Sequence, residues 1–91
     1  MTKAIYRREY EIFLALIKTK RASAGLTQTE CSAALGRPQS FMSDVERGSR
    51  RLDIIQIHDL CTVFGCDFVA FMRELDEAIA TLSGKRIDHA E

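Results

Sequence analysis

Four arginines are grouped around one short polar stretch between positions 37 and 51 of this 91-residue chain. A guanidinium group stays charged and presents a fork of N–H donors that fits a phosphate or a carboxylate. The spacing therefore points first to the binding of an anion. The four residues are Arg37, Arg47, Arg50 and Arg51.

The formal charge of the chain is zero, with 13 basic and 13 acidic residues, but the charge is distributed unevenly. Residues 18–51 hold seven basic and three acidic residues, a net charge of +4. Residues 52–91 hold three basic and eight acidic residues, a net charge of −5, and the first 17 residues add +1. We expect a polarised molecule in which one part suits phosphate and the other avoids it.

Residue types that carry catalysis or hold metals form no comparable pattern. Both histidines lie in ordinary contexts, the acids are scattered or precede helices, and there is no glycine-rich phosphate loop or nucleophile motif. His58, Cys61 and Cys66 come nearest to a zinc set, but their spacing matches no common site and a fourth ligand is missing. We expect a protein that is not an enzyme and has no metal or cofactor.

Composition favours a soluble globular protein in a reducing compartment. No apolar run approaches the 18 or so residues of a membrane span, and charged residues interrupt the N-terminus. Three cysteines are an odd number and lie in apolar-periodic segments, which suits buried thiols better than disulfides. The expected location is the cytoplasm, with no membrane association.

Helical periodicity predicts five helices and no strand. The first begins near Ile5 and Tyr6 and covers about 6–24; the others cover about 28–35, 38–47, 54–64 and 67–82. Capping patterns place three of the starts, since Thr27 is followed by Glu30 and Asp53 by Gln56, and Asp67 precedes the last helix. Pro38 is expected in the first turn of the third helix, where its missing N–H costs nothing. The expected stops are Gly25, Gly36, Gly48 and Gly65.

Three stretches, "LTQTE", "ALGRPQSFMSDVERGSRRLD" and "LCTVFGCD", resemble in order and spacing the XRE family of helix-turn-helix regulators, which includes the phage Cro proteins and lambda-type repressors. The resemblance covers Lys18 to about Met72. It implies an all-α fold: one five-helix, lambda-repressor-like DNA-binding domain over 1–91, with extended first and last helices. The implied partner is double-stranded DNA.

Base reading is implied for the polar face of the third helix, which is too polar to be a plain core element. A helix of this size fits the major groove. Gln pairs with adenine, Ser with several base edges, and Asp accepts from the cytosine amino group. The expected readers are Gln39, Ser40, Ser43 and Asp44.

Phosphate binding is implied for Gln28 at the start of the second helix and for the arginines around Gly48. Arg37, just before the third helix, is expected to reach a base or a phosphate. The family pattern also implies an ion pair between Arg21 and Glu46 that fixes the third helix. The implied phosphate contacts are Gln28, Arg37, Arg47, Arg50 and Arg51.

Three positions depart from the family pattern. Asp44 stands where members often have Lys, so it either reads cytosine or turns toward Arg47 or Arg21. Cys31 and Ser32 stand where members usually have Leu and Ala, and we expect a slightly looser core there.

An apolar stripe on the fifth helix is longer than a small domain needs, so it predicts a homodimer through Phe71, Leu75 and Ile79. The same stripe is also compatible with packing against the first helix in one chain. The expected function is a dimeric repressor that reads a palindromic operator. The alternatives are an antitoxin-type protein-interaction module and a restriction-modification controller protein.

Overall fold

The computed structural model describes residues 7–83, which form five α-helices and no strand. The all-α fold is confirmed; the predicted start of the first helix near Ile5 and Tyr6 lies outside the described residues. Within the described part, no single helix is long and apolar enough to cross a membrane. Helix α4 and most of α5 have that length and apolar character only when taken together, and the angle between them is 108°. The helices are α1 (Arg8–Ser23), α2 (Gln28–Ala34), α3 (Phe41–Arg47), α4 (Ile54–Phe64) and α5 (Phe68–Ser83).

Three helices begin at the predicted side-chain caps, and at α5 the Ala70 amide donates to Asp67 Oδ2 at 2.9 Å. The Glu30 amide donates to Thr27 Oγ1 at 3.0 Å, and the Glu30 carboxylate accepts the Thr27 amide at 2.9 Å. Asp53 and Gln56 repeat this reciprocal pattern at the start of α4. Because each box uses amides that have no partner inside the helix, the starts of α2 and α4 are fixed locally.

Gly36 and Gly48 end α2 and α3 in the left-handed region, with φ of +70° and +86°. After α2, the Arg37 amide donates to the Ser32 carbonyl at 2.9 Å; after α3, the Ser49 amide donates to the Asp44 carbonyl at 3.0 Å. These bonds close Schellman loops, which a side-chain-bearing residue would strain at the glycine position. Both loops turn the chain sharply and carry arginines.

The core lies where α1 contacts α3, α4 and α5. Ile17 of α1 and Leu60 of α4 are fully buried, and each such side chain stabilises the fold by about 1.5–3 kcal/mol. The buried apolar residues are Phe13, Ile17, Cys31, Phe41, Met42, Val45, Leu60, Cys61, Phe64 and Phe71.

Two predictions were wrong in this part of the molecule. Helix α3 begins at Phe41 rather than at position 38, because the Met42 amide bonds to Ser32 Oγ at 3.0 Å and not to the Pro38 carbonyl. Phe71 is not a surface residue of α5: it is 1% exposed and meets Phe13 of α1 edge-on, with ring centroids 6.3 Å apart. The inward end of the stripe is therefore used inside one chain.

Candidate nucleic-acid interface

The predicted ion pair between α1 and α3 is present. Arg21 Nε donates to Glu46 Oε2 at 2.6 Å and Arg21 Nη2 donates to Glu46 Oε1 at 3.1 Å, so the contact is bidentate. Only 16% of the Arg21 side chain and 3% of the Glu46 side chain are exposed. Arg21 Nη1 also donates to the Leu26 carbonyl at 2.8 Å. One guanidinium thus ties the end of α3 to α1 and to the loop before α2.

Gln28, predicted to bind phosphate, lies at the first position of α2. Its Nε2 donates to Glu46 Oε1 at 2.9 Å. Burial by itself raises the pKa of Glu46, but the hydrogen bonds from Arg21 and Gln28, with the nearby positive charge, lower it overall. The side chain of Gln28 is thereby oriented by the ion pair, and Glu46 stays ionised.

Ser32 is a positioning residue that the sequence analysis did not identify. It is fully buried, and its hydroxyl accepts the Met42 amide and donates to the Gln39 carbonyl at 3.4 Å. This contact fixes the turn between α2 and α3 and satisfies an amide at the start of α3. Cys31 beside it is also fully buried, so these two residues that depart from the family pattern both belong to the core. A short polar residue on the inner face of α2 was the available signal.

The four predicted base-reading residues lie on one side of α3 and the turn before it. Gln39 and Ser40 are exposed and precede the helix, while Ser43 and Asp44 are half-buried on its first turn. The opposite side of α3 is buried through Met42, Val45 and other core residues. The helix therefore presents its polar side outward.

Asp44 turns toward Arg47. The two side chains form a salt bridge on the surface of α3, and Arg47 Nη1 also donates to Ser43 Oγ at 3.0 Å. Arg47 was predicted to bind phosphate, but its guanidinium already has a carboxylate partner. The structure thus selects one of the orientations left open for Asp44, in which this carboxylate partly offsets the charge of Arg47.

Arg37 and Arg50 lie together against the ring of Phe41. Their guanidinium carbons are 5.3 Å and 5.1 Å from its centroid. Within the described residues neither side chain has an ion-pair partner. Arg37 also lines a small cavity of about 60 Å³ with Gln56 and Asp59.

Arg51 lies apart from this pair. Its guanidinium carbon is 4.7 Å from the centroid of Tyr10 on α1. Although it is adjacent to Arg50 in sequence, it points toward the α1 side of the molecule. The structure brings Arg37 and Arg50 together and leaves Arg51 beside a separate, apolar surface.

That surface is a groove between α1, α4 and α5 with a volume of about 480 Å³. Leu75 and Ile79, two of the predicted dimer residues, line it together with Ile57 and Met72. The Tyr10 hydroxyl is buried and has no hydrogen-bond partner among the described residues. Two members of the predicted interface are therefore accessible, and Phe71 is not.

Comparison of the sequence and the structure with known proteins identifies a family. Residues 12–75 match the model of a helix-turn-helix domain. The chain belongs to the XRE-like family of helix-turn-helix regulators. The matched range contains the ion pair, the α2–α3 turn and the arginine loops of this helix-turn-helix protein.

Two relatives agree with this assignment. The helix-turn-helix protein is 35% identical over 57 residues to an uncharacterised HTH-type transcriptional regulator, y4dJ, of Sinorhizobium fredii, covering 63% of this chain and 74% of the relative. It is 45% identical to a solved XRE-family like protein from Pseudomonas syringae pathovar tomato, with a TM-score of 0.71, covering 78% of this chain and 85% of that one. The fold and family predicted from the sequence are confirmed.

Proposed function

We propose that this chain is a sequence-specific regulator of transcription that binds double-stranded DNA in the cytoplasm as a dimeric repressor, with α3 in the major groove. The observation that carries the proposal is the orientation of α3. Its inner side is locked by Glu46 to Arg21 and Gln28, and its outer side presents polar residues next to two unpaired arginines. A helix so held can offer side chains to base edges in a fixed register.

The assignment of roles follows from exposure and pairing. Gln39 and Ser40 are exposed before the first turn of α3, so we assign them to base reading. Ser43 and Asp44 lie beside them, but both contact Arg47 and must release it before they can read a base. Arg37 and Arg50 are assigned to the phosphate backbone, with Gln28 and Arg51 at its margins. We assign Arg47 a smaller share because the neighbouring Asp44 carboxylate partly offsets its charge.

Selection of DNA fragments by the purified protein tests base reading. Gln39→Ala should relax discrimination at one base position, by about 1–3 kcal/mol, and leave binding to random-sequence DNA almost unchanged. Arg73→Ala, which removes an exposed arginine from α5, is the control and should change neither quantity. If selection enriches no sequence and the wild-type protein binds no duplex at low salt, DNA binding is not the function.

We further infer that a second copy covers the groove beside Leu75 and Ile79. A single short recognition helix reads few base pairs, and two half-sites one helical turn apart, roughly 34 Å, overcome that limit. A groove of this size lined by aliphatic side chains is a surface that association would bury.

Sedimentation of Ile79→Glu tests the dimer. The variant should be a folded monomer that binds DNA weakly and without preference for a palindrome. Val69→Glu is the matched control, because Val69 is 60% exposed on the same helix but does not line the groove. A wild-type protein that stays monomeric on its DNA target would refute the dimer and favour a protein-interaction module of the antitoxin type.

A further inference from the structure

Phe41 is a buried aromatic residue in contact with two cationic groups. Its side chain belongs to the core, with 5% of the residue exposed, yet the guanidinium carbons of Arg37 and Arg50 lie 5.3 Å and 5.1 Å from its centroid. These distances are within the range of cation–π contacts. Because both distances are to the same centroid, the two guanidinium carbons are at most about 10 Å apart.

The backbone brings these two arginines to the ring from different helices. The Arg37 amide is bound by the Ser32 carbonyl at the end of α2, and the Arg50 amide by the Asp44 carbonyl at 3.2 Å at the end of α3. Phe41 is the first residue of α3 and lies between them in sequence. The ring is fixed by the core, so each guanidinium group has a defined contact in the absence of a ligand.

Two like charges on one ring repel each other, weakly where water screens them, and an anion placed to contact both is attracted by both. Among the described residues no carboxylate has taken that place: Asp59 shares a cavity wall with Arg37 but forms no ion pair with it. The neighbouring arginines differ, since Arg21 and Arg47 are each bound to a carboxylate. Among the described residues, Arg37 and Arg50 thus have no carboxylate partner, and an anion from outside the chain can bind to them.

We propose that Phe41 is a positioning residue that holds Arg37 and Arg50 together on a single phosphodiester of the DNA backbone. The proposal rests on the proposed DNA-binding function. It adds that two arginines 13 positions apart act as one unit and that the unit depends on an aromatic ring. Arg51 lies against Tyr10 and is outside this unit.

The salt dependence of binding to a random-sequence duplex distinguishes one shared phosphate from two separate ones. Each phosphate neutralised contributes roughly 0.9 to the slope of log K against log salt. Arg37→Ala with Arg50→Ala should lower the slope by roughly 0.9 if they share a phosphate, and by roughly 1.8 if they do not. A difference of 0.9 changes affinity by about 3.5-fold between 50 and 200 mM salt, which a titration resolves.

Substitution of the ring tests the positioning role. Phe41→Leu should lower the slope by roughly 0.9, and adding Arg37→Ala to it should then cause no further loss. Phe41→Tyr keeps the ring and should have the wild-type slope. If Phe41→Leu and Phe41→Tyr have the same thermal stability, a purely structural role of Phe41 would not explain a difference between their slopes. Tyr10→Leu is the control, because Tyr10 contacts Arg51 and not Arg37 or Arg50. Any change that Tyr10→Leu makes in the salt slope should add to the change made by Phe41→Leu.

The outcomes separate the two proposals. A wild-type protein that binds no duplex overturns both. A protein that binds DNA with a slope loss near 1.8 in the arginine double variant, or with unchanged slope in a folded Phe41→Leu variant, keeps the function and overturns the shared site. If Phe41→Leu does not fold, the arginine double variant alone decides the proposal.

Discussion

Removal of the Glu46 carboxylate should be the most destabilising single change on the polar side of the fold. Glu46→Ala leaves Arg21 with one hydrogen bond, to the Leu26 carbonyl, and leaves the Gln28 amide without its acceptor. Breaking a buried ion pair from one side costs about 3–5 kcal/mol. Because 16% of the Arg21 side chain reaches solvent, water compensates in part and we expect about 3 kcal/mol.

A second pair on α1 supplies a matched control for this prediction. Lys20, the residue before Arg21, binds Glu74 of α5 at 2.8 Å, but 46% of the Glu74 side chain is exposed. Exposed pairs contribute about 0–1 kcal/mol, since water and salt screen the charges. Glu74→Ala should therefore lower the free energy of unfolding by less than about 1 kcal/mol, although the N–O distance of 2.8 Å is close to the 2.6 Å of the Arg21–Glu46 pair.

Urea denaturation of both variants measures the free energy of unfolding, and thermal denaturation measures Tm. For a domain of this size about 1 kcal/mol shifts Tm by roughly 4–8 °C, so Glu46→Ala should lower Tm by roughly 12–24 °C. A double-mutant cycle with Arg21→Ala measures the coupling between the two side chains. If Glu46→Ala is no more destabilising than Glu74→Ala, the Arg21–Glu46 ion pair does not stabilise the fold more than an exposed pair does.

Three further predictions concern the same surface. Ser32→Ala buries the Met42 amide without a partner and should cost about 1–3 kcal/mol in denaturation, against less than about 0.5 kcal/mol for the exposed Ser49→Ala; equal costs would contradict the role of Ser32. The folded-state pKa of Glu46 is lowered from its ordinary value of 4.5, so its stabilising effect is present above that pH and is lost as pH falls through the lowered pKa; Glu46→Gln should flatten the acid limb of stability against pH, and an unchanged limb would refute this. Asp44→Asn frees Arg47 and should tighten binding to random-sequence DNA and steepen its salt slope by up to about 0.9, an expectation that equal slopes for variant and wild type would exclude.

Local signals predicted the fold well, and long-range contacts account for what they missed. Capping boxes and glycine stops act over a few residues, so the starts of α2 and α4 and the ends of all but the last helix could be read from the sequence. The start of α3 depends on the Ser32 hydroxyl, ten residues before Met42, and no local pattern reveals that bond. The burial of Phe71 likewise depends on Phe13, at the far end of the chain.

The arginines show why charge alone could not define the candidate site. Each arginine contributes equally to the net charge of +4 of residues 18–51, but in the structure the arginines have different partners. Arg21 and Arg47 are bound to carboxylates, while Arg37 and Arg50 lie on an aromatic ring that leaves their charge uncompensated. A carboxylate partner opposes phosphate binding because it must be displaced or carried toward the DNA, whereas a ring orders the cation and leaves its charge intact. The charge available to DNA is therefore concentrated at the start of α3 and the loop after it, next to the side chains proposed to read bases.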